Sequence, residues 1–278
     1  MTHSFDLLDT PYALTREHGA FFREHGYIKL KDVLSPDVLQ HYASLITEEV
    51  LARNPLKDKP MSERTTYEKA FLQIINLWRV HTVVRRFVFS ARLARIATHL
   101  MGVQGVRLYH DQALYKEPGG GFTPWHADQY YWPLSTPHTC TVWIPLQATP
   151  LEMGPLSFSV GSHHFEHGRN LAISDESEAT LQQTLADQNF EHVTEPFDLG
   201  EVSFHSGWTF HRAGPNTTAQ PRAVMTIIYM ADGIRLIEPQ RSEQHNDAAA
   251  FLPGLRPGDK AATPLNPLLY HEDWEQKK

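Results

Sequence analysis

One cysteine, Cys140, stands in a chain of 278 residues. No internal disulfide can form, and this thiol usage suits a reducing compartment. Long apolar runs are missing too: the richest, residues 223–231, is broken by Thr226 and falls well short of the roughly 18 residues a membrane span needs. Basic residues are outnumbered, 25 Lys and Arg against 32 Asp and Glu, which leaves a net charge of −7. That excludes the basic face on which a nucleic-acid binder depends. Residues 1–19 have neither a basic start nor a long apolar stretch, so no secretory leader is expected and the expected location is cytoplasmic. Gly and Pro, 16 and 19 in number, are at an average share, which sets aside collagen-like and low-complexity chains.

Histidine is what the chain holds in quantity, 17 residues beside the single thiol. Any metal bound here is therefore held by imidazole and carboxylate rather than thiolate. A chain of this length buries about 70–75% of its unfolded surface and needs no covalent staple. No linker divides it, so residues 1–278 are expected to form one domain.

The first hundred residues read mainly as helix. Thr15 caps a helix through His25 that Gly26 stops, and Ser35-Pro36 opens another whose apolar residues recur at helical spacing from Val38 to Val50. Further helices are expected from Tyr67 to Trp78 and between Ser90 and Gly102. After Gly102 the period changes to two. Val106, Leu108, His110, Gln112 and Leu114 alternate with Arg107, Tyr109, Asp111, Ala113 and Tyr115, the pattern of a strand with two distinct faces. Short strands follow at 139–146, 155–160, 193–197, 201–205 and 222–230, with a helical insert near 176–188. The expected fold is mainly β: a jelly-roll or cupin-like core over about 103–232, with the helices of about 14–102 packed on one sheet. Residues 233–278 read as an irregular, proline-punctuated tail.

The segment that carries chemistry is Thr123-Pro124-Trp125-His126-Ala127-Asp128-Gln129. In an extended chain, residues i and i+2 point the same way, so His126 and Asp128 offer a nitrogen and an oxygen to one point. His211 comes later, in Phe210-His211-Arg212. Side by side, the two segments give a 2-His-1-carboxylate set, which leaves three positions of an octahedral Fe(II) open. Arg222 follows His211 by eleven residues. A guanidinium at the back of the pocket holds the far carboxylate of a chelating co-substrate through two parallel bonds. The competing reading is an exposed strand end. His163, His164 and His167 form a denser cluster, read as a solvated loop.

With these residues in place, the chain resembles the phytanoyl-CoA dioxygenase family of iron- and 2-oxoglutarate-dependent oxygenases. The resemblance runs from Glu24-His25-Gly26-Tyr27-Ile28 and Leu34-Ser35-Pro36 through Trp125-His126-Ala127-Asp128 and Thr141-Val142-Trp143-Ile144-Pro145-Leu146. It continues through Met153-Gly154-Pro155-Leu156 and Gly161-Ser162-His163 to His211 and Arg222, about residues 15–232. It implies a double-stranded β-helix core, Fe(II) on His126, Asp128 and His211, and 2-oxoglutarate anchored by Arg222, with O2 as the oxidant. It also implies Gln112 as a polar residue of the co-substrate pocket, against a solvent-facing strand residue, and Trp143 near 2-oxoglutarate, against plain core packing. The family frequently has a serine two residues after the second histidine; Ala213 stands there. Halogenases with this resemblance carry Gly or Ala in place of the acidic ligand, so Asp128 favours hydroxylation of a C–H bond.

The expected partner is a small-molecule substrate, with neither nucleic acid nor membrane; the sequence sets no oligomeric state. Two other classes remain open at this point: a metal-dependent cupin-type hydrolase or isomerase that does not use 2-oxoglutarate, and a non-catalytic binding module on the same fold. Gln129-Tyr130-Tyr131-Trp132 is expected to enter the pocket wall, with substrate contacts from Gln129 and Tyr130. Alternation sends Tyr130 to the metal side, and a bend after Asp128 reverses that order. Phe71 and Trp78 are candidates for the opposite wall, against a plain core role.

Overall fold

The computed structural model describes residues 7–274; residues 1–6 of the stretch read above for a leader lie outside them. The chain runs through α1 (Arg16–His25), β1 (Tyr27–Leu30), α2 (Pro36–Ala52), α3 (Thr66–Ala70), β2 (Leu72–Ile75), α4 (Thr82–Val88) and α5 (Ala91–Met101). It then enters β3 (Gly105–Lys116), β4 (Thr123–His126), β5 (Thr139–Pro145) and β6 (Leu156–Ser159). After α6 (Asp175–Asp187) come β7 (His192–Thr194), β8 (Val202–Ser206), β9 (His211–Ala213), β10 (Arg222–Ala231), α7 (Ser242–Phe251) and β11 (Leu268–His271).

The helix ends are where the local chemistry puts them. The Thr15 hydroxyl accepts from His18 N, and Gly26 closes α1 in the left-handed region at φ 79°. The Ser35 hydroxyl accepts from Val38 N at 3.3 Å, with Pro36 in the first turn of α2. Two antiparallel sheets form the core, one in the order β1-β8-β5-β10-β3-β11 with β2 also paired to β3, the other β4-β9-β6-β7. The larger sheet buries Val142, Ile144, Phe204, Met225 and Ile227 under residues of α2, α4 and α5, including Val38, Phe87 and Leu93. Its other face carries Trp143 and Val224, which pack on Leu156, Phe158 and Ala213 of the smaller sheet. This is the expected jelly-roll core with helices on one sheet. Among the described residues no helix is long and apolar enough to cross a membrane.

Three elements differ from the sequence reading. The helix expected from Tyr67 to Trp78 stops at Ala70; Leu72–Ile75 pairs with β3 instead, and Asn76 turns the chain at φ 57°. Edge pairing outweighs the helical spacing of Tyr67, Phe71 and Trp78. In β3 the two faces do not run straight through. His110 pairs with Ile228 and Leu108 with Tyr229, so Tyr109 is an extra residue, a β-bulge. Val106 and Leu108 therefore share the helix-side core with Ala113 and Tyr115, while His110, Gln112 and Leu114 face between the sheets. The tail read as irregular holds α7 and β11. Its Gln244 amide donates to Tyr130 O at 3.2 Å, Phe251 packs with Tyr109 and Trp132, and β11 adds to the edge of β3. A helix written Ser242-Glu-Gln-His-Asn-Asp-Ala-Ala-Ala-Phe251 has no apolar stripe, so tertiary contacts rather than periodicity hold it.

On the helix side of β3, Asp111 is fully buried and accepts from Leu77 N at 3.0 Å and Trp78 N at 3.4 Å. Burial pushes its carboxyl up to about 7, against the pull of those N–H groups. The unfolded chain titrates near the usual value of about 3.9, so between these two pH values the native state holds a proton that the unfolded state has lost. Stability then falls as pH rises through that window. Asp111→Asn removes the titration, and denaturant unfolding from about pH 5 to pH 8 should show the variant gaining on the wild type as pH rises. A pH-independent difference between the two would contradict the assignment.

Candidate active site

The smaller sheet builds one wall of the site. β4 ends on His126, β9 begins on His211, and the antiparallel register sets the two directly opposite, ring centroids 4.2 Å apart. Asp128 is not on an extended strand; it opens a 3-10 turn, Asp128–Tyr131. The turn still brings its Oδ1 to 3.6 Å from His126 Nε2 and 3.7 Å from His211 Nε2. The three ligand atoms lie within 4.8 Å of one another, a spacing one metal ion can bridge.

The neighbours fix the state of each ligand. His126 Nδ1–H donates to Pro124 O at 2.7 Å and His211 Nδ1–H to Thr209 O at 3.0 Å. A carbonyl only accepts, so the proton sits on Nδ1 and the Nε2 lone pair faces the common point. Burial, and then the neighbouring His126 and His205, hold His211 well below the usual imidazole range, which keeps it neutral. Asp128 divides its oxygens: Oδ2 accepts from the Thr141 hydroxyl at 2.9 Å and from His205 Nε2–H at 3.2 Å, leaving Oδ1 to the metal position. Burial acts to raise its pKa, the three imidazoles outweigh it, and the carboxyl is held well below the usual range. The donor set, its tautomers and its charge fit a divalent metal of the Fe(II) type.

The same cavity, of about 430 Å³, reaches Arg222 at its other end. This guanidinium is 2% exposed. Its Nη1 donates to Gly154 O, its Nε has no partner, and it lies 5.5 Å from the Trp143 ring. No carboxylate of the described residues pairs with it. Burial holds it at about 10. Lys116 sits beside it in the β3–β10 register, its ammonium spent on Gly121 O at 2.6 Å and Gly214 O at 2.8 Å. A buried guanidinium with no acid beside it makes this end of the sheet a place for an anion. Gly154, whose carbonyl accepts from Arg222, must be glycine: at φ 69°, an added Cβ would come within 2.2 Å of Gly214 O.

Of the other residues named from the sequence, Gln112, Trp143 and Ala213 line the cavity. Gln112 accepts from the Gln73 amide, and Tyr67 donates to Gln73 Oε1 at 2.7 Å. Trp143 Nε1 is buried without a partner. Gln129 and Tyr130 are not among the lining residues. The 3-10 turn sends Gln129 into the fold, where its Oε1 accepts from the Thr139 hydroxyl at 2.5 Å, and places Tyr130 beneath Arg241 at 4.4 Å. Tyr131 and Trp132 line the cavity in their place, as does Phe71, whereas Trp78 packs in the core. His163 is pinned by donating to Arg23 O at 3.0 Å, and His164 and His167 are exposed.

Sequence reasoning passed over His205, Thr141, Thr123, His110 and α7. For His205 a signal existed: Val202 and Phe204 face the core, so alternation turns Ser203 and His205 inward. Thr141 follows in the same way from Cys140 and Val142. For α7 no local signal exists.

Comparison with known proteins agrees with this geometry. Residues 22–224 match the family model described as phytanoyl-CoA dioxygenase. A methylphosphonate hydroxylase of Gimesia maris is 28% identical over 222 residues, 76% of this chain and 78% of that protein. The crystal structure of the non-heme alpha ketoglutarate dependent carbocyclase SnoK from nogalamycin biosynthesis superposes with a TM-score of 0.74 at 27% identity, covering 93% of this chain and 99% of that one. The epimerase SnoN, in complex with Fe3+, alpha ketoglutarate and nogalamycin RO, does so at 0.73 and 25% identity, covering 91% and 98%. The arrangement of His126, Asp128, His211 and Arg222 around one cavity is thus carried on a shared fold, and the chain belongs to the phytanoyl-CoA dioxygenase family.

Proposed function

We propose that this iron- and 2-oxoglutarate-dependent oxygenase holds Fe(II) on His126 Nε2, Asp128 Oδ1 and His211 Nε2, and the far carboxylate of 2-oxoglutarate on Arg222. Its reaction on this reading is hydroxylation of a C–H bond of a small molecule. The observation that carries the reading is the cavity itself: a carboxylate and two imidazoles converge at one end, and a buried guanidinium without a counter-ion closes the other.

When bound, iron and 2-oxoglutarate supply the oxidation, in which O2 is consumed, 2-oxoglutarate becomes succinate and CO2, and one oxygen atom goes to the substrate carbon. The protein's share is binding, orientation and exclusion of water. Thr141 and His205 occupy Asp128 Oδ2, so the carboxylate offers a single oxygen and leaves coordination positions for the co-substrate and O2. Arg222, buried against Trp143, fixes the length and direction of the co-substrate pocket. Thr123 faces Ala213 across β4 and β9, and both line the cavity. The Thr123 hydroxyl accepts from Lys116 at 3.4 Å, so its own hydrogen is available to the co-substrate carboxylate in place of the serine that Ala213 lacks. Leu114, Leu156 and Trp143 give the pocket dry walls. Cytoplasmic location is in keeping with the buried, unpaired thiol of Cys140.

Arg222→Ala should weaken 2-oxoglutarate binding to the iron-loaded protein by about 2–5 kcal/mol while iron content stays near that of the wild type. Calorimetric titration without oxygen, with metal analysis of the same samples, measures both; unchanged 2-oxoglutarate affinity would remove Arg222 from the site. His205→Phe keeps the ring volume and removes the donor to Asp128. It should lower iron affinity by about 10- to 100-fold, and Thr141→Val should lower it in the same direction. Competition with a metal chelator reads the change, and wild-type affinity in both variants would show that Asp128 needs no positioning.

A further inference from the structure

The charges of the cavity point beyond the class of reaction to the class of substrate, on the reading of the site just given. With a divalent metal, Asp128, Arg222 and a doubly charged 2-oxoglutarate in place, the charges at the chemical end cancel. Among the described residues that line the cavity, Arg222 is the only Lys or Arg. The remaining wall carries two carboxyls, Glu243 and Asp247, one turn apart on α7. Arg241, the nearest cation on that element, stacks over Tyr130 and is not a lining residue.

We propose that the substrate carries a protonated amine, received by Asp247 with Phe251 and His110 at the wall formed by α7 and β3. Asp247 accepts from the Tyr109 hydroxyl and has no cationic partner among the ion pairs of the described residues. A half-buried carboxylate set against aromatic walls is costly unless a positive charge joins it. Burial pushes its pKa up to about 8, which a cation beside it would reverse. His110 forms the adjoining wall. It is 3% exposed, lines the same cavity, and its Nδ1 has no partner within hydrogen-bond geometry. Its ring stacks on Phe251 at 4.0 Å. Burial keeps the imidazole neutral, so this wall adds no positive charge to compete with a bound cation. Phe251 lies four residues after Asp247 on the same face of α7, and Tyr131 and Trp132 extend the aromatic surface. Aromatic faces beside a carboxylate are the surroundings that favour an ammonium. An anionic substrate, such as the methylphosphonate named for one relative, meets no second cation here.

Three probes with one apolar group and different charge test this: benzylammonium, benzyl alcohol and benzylphosphonate. Each is titrated calorimetrically into the enzyme loaded with Fe(II) and 2-oxoglutarate in the absence of oxygen. Benzylammonium should bind at least about tenfold more tightly than benzyl alcohol, and benzylphosphonate most weakly. Asp247→Asn should bring the ammonium-to-alcohol ratio close to one, and Glu243→Gln should reduce it partially. The 2-oxoglutarate affinity of each variant, set at the Arg222 end, reports that it is folded. Tightest binding of the phosphonate, no preference for the ammonium, or a preference that survives Asp247→Asn would overturn the proposal. Failure of 2-oxoglutarate to bind the iron-loaded wild type would instead contradict the reading of the site on which the proposal rests.

Discussion

A carboxylate set among three imidazoles persists only if each of its oxygens has its own task, and Asp128 meets that condition by dividing them. Oδ2 is saturated by Thr141 and His205, and Oδ1 alone faces the lone pairs of His126 and His211. The condition reaches through the fold. Thr141 and His205 come from neighbouring strands of the larger sheet, paired in register, while the two ligand histidines come from paired strands of the smaller one. The two sheets must therefore sit at one separation for the site to exist. The core that holds them there, Trp143 and Val224 against Leu156 and Phe158, lies directly behind the ligands. Packing and chemistry are the same constraint at this place.

The far end of the cavity repeats the arrangement with opposite sign. Arg222 is a buried cation with Lys116 beside it in one register of β3 and β10, and the protein satisfies their N–H groups with backbone carbonyls: Gly154 for the first, Gly121 and Gly214 for the second. Lys116 is drawn down to about 6, by burial first and then by Arg222 and Arg212. Carbonyls satisfy the N–H groups without neutralising the charge, so the pull on a carboxylate is kept for the ligand. Between the two ends, α7 and β2 complete the walls.

The chemical centre was the most legible part of the sequence because it is written at short range. His126 and Asp128 are two residues apart, and Arg222 follows His211 by eleven. Even there the warrant was incomplete, since the chain bends into a 3-10 turn at Asp128 and sends Gln129 and Tyr130 away from the cavity. Caps at Thr15, Ser35 and Ser90 and the apolar run of β10 also place elements from local chemistry alone. What stayed hidden depends on contacts distant in sequence. A single extra residue, Tyr109, reverses the faces of β3, and no pattern in the strand itself announces it. The helix Ser242–Phe251 has no apolar stripe; it forms because Gln244 reaches Tyr130 and Asp247 reaches Tyr109. Leu72–Ile75 becomes a strand because β3 offers an edge. The walls of the cavity are therefore less readable than the cluster of His126, Asp128 and His211.

The measurement that bears most directly on this account is titration of 2-oxoglutarate into the Fe(II)-loaded protein without oxygen, followed by the visible charge-transfer absorption that a chelated 2-oxo acid gives with ferrous iron. The account predicts a saturable band at one equivalent of iron in the wild type. It predicts that the band is lost, together with the iron, in Asp128→Ala. A wild-type protein that takes up iron yet shows no band, or an Asp128→Ala protein with the band unchanged, would contradict the assignment of the metal and its co-substrate to this cavity.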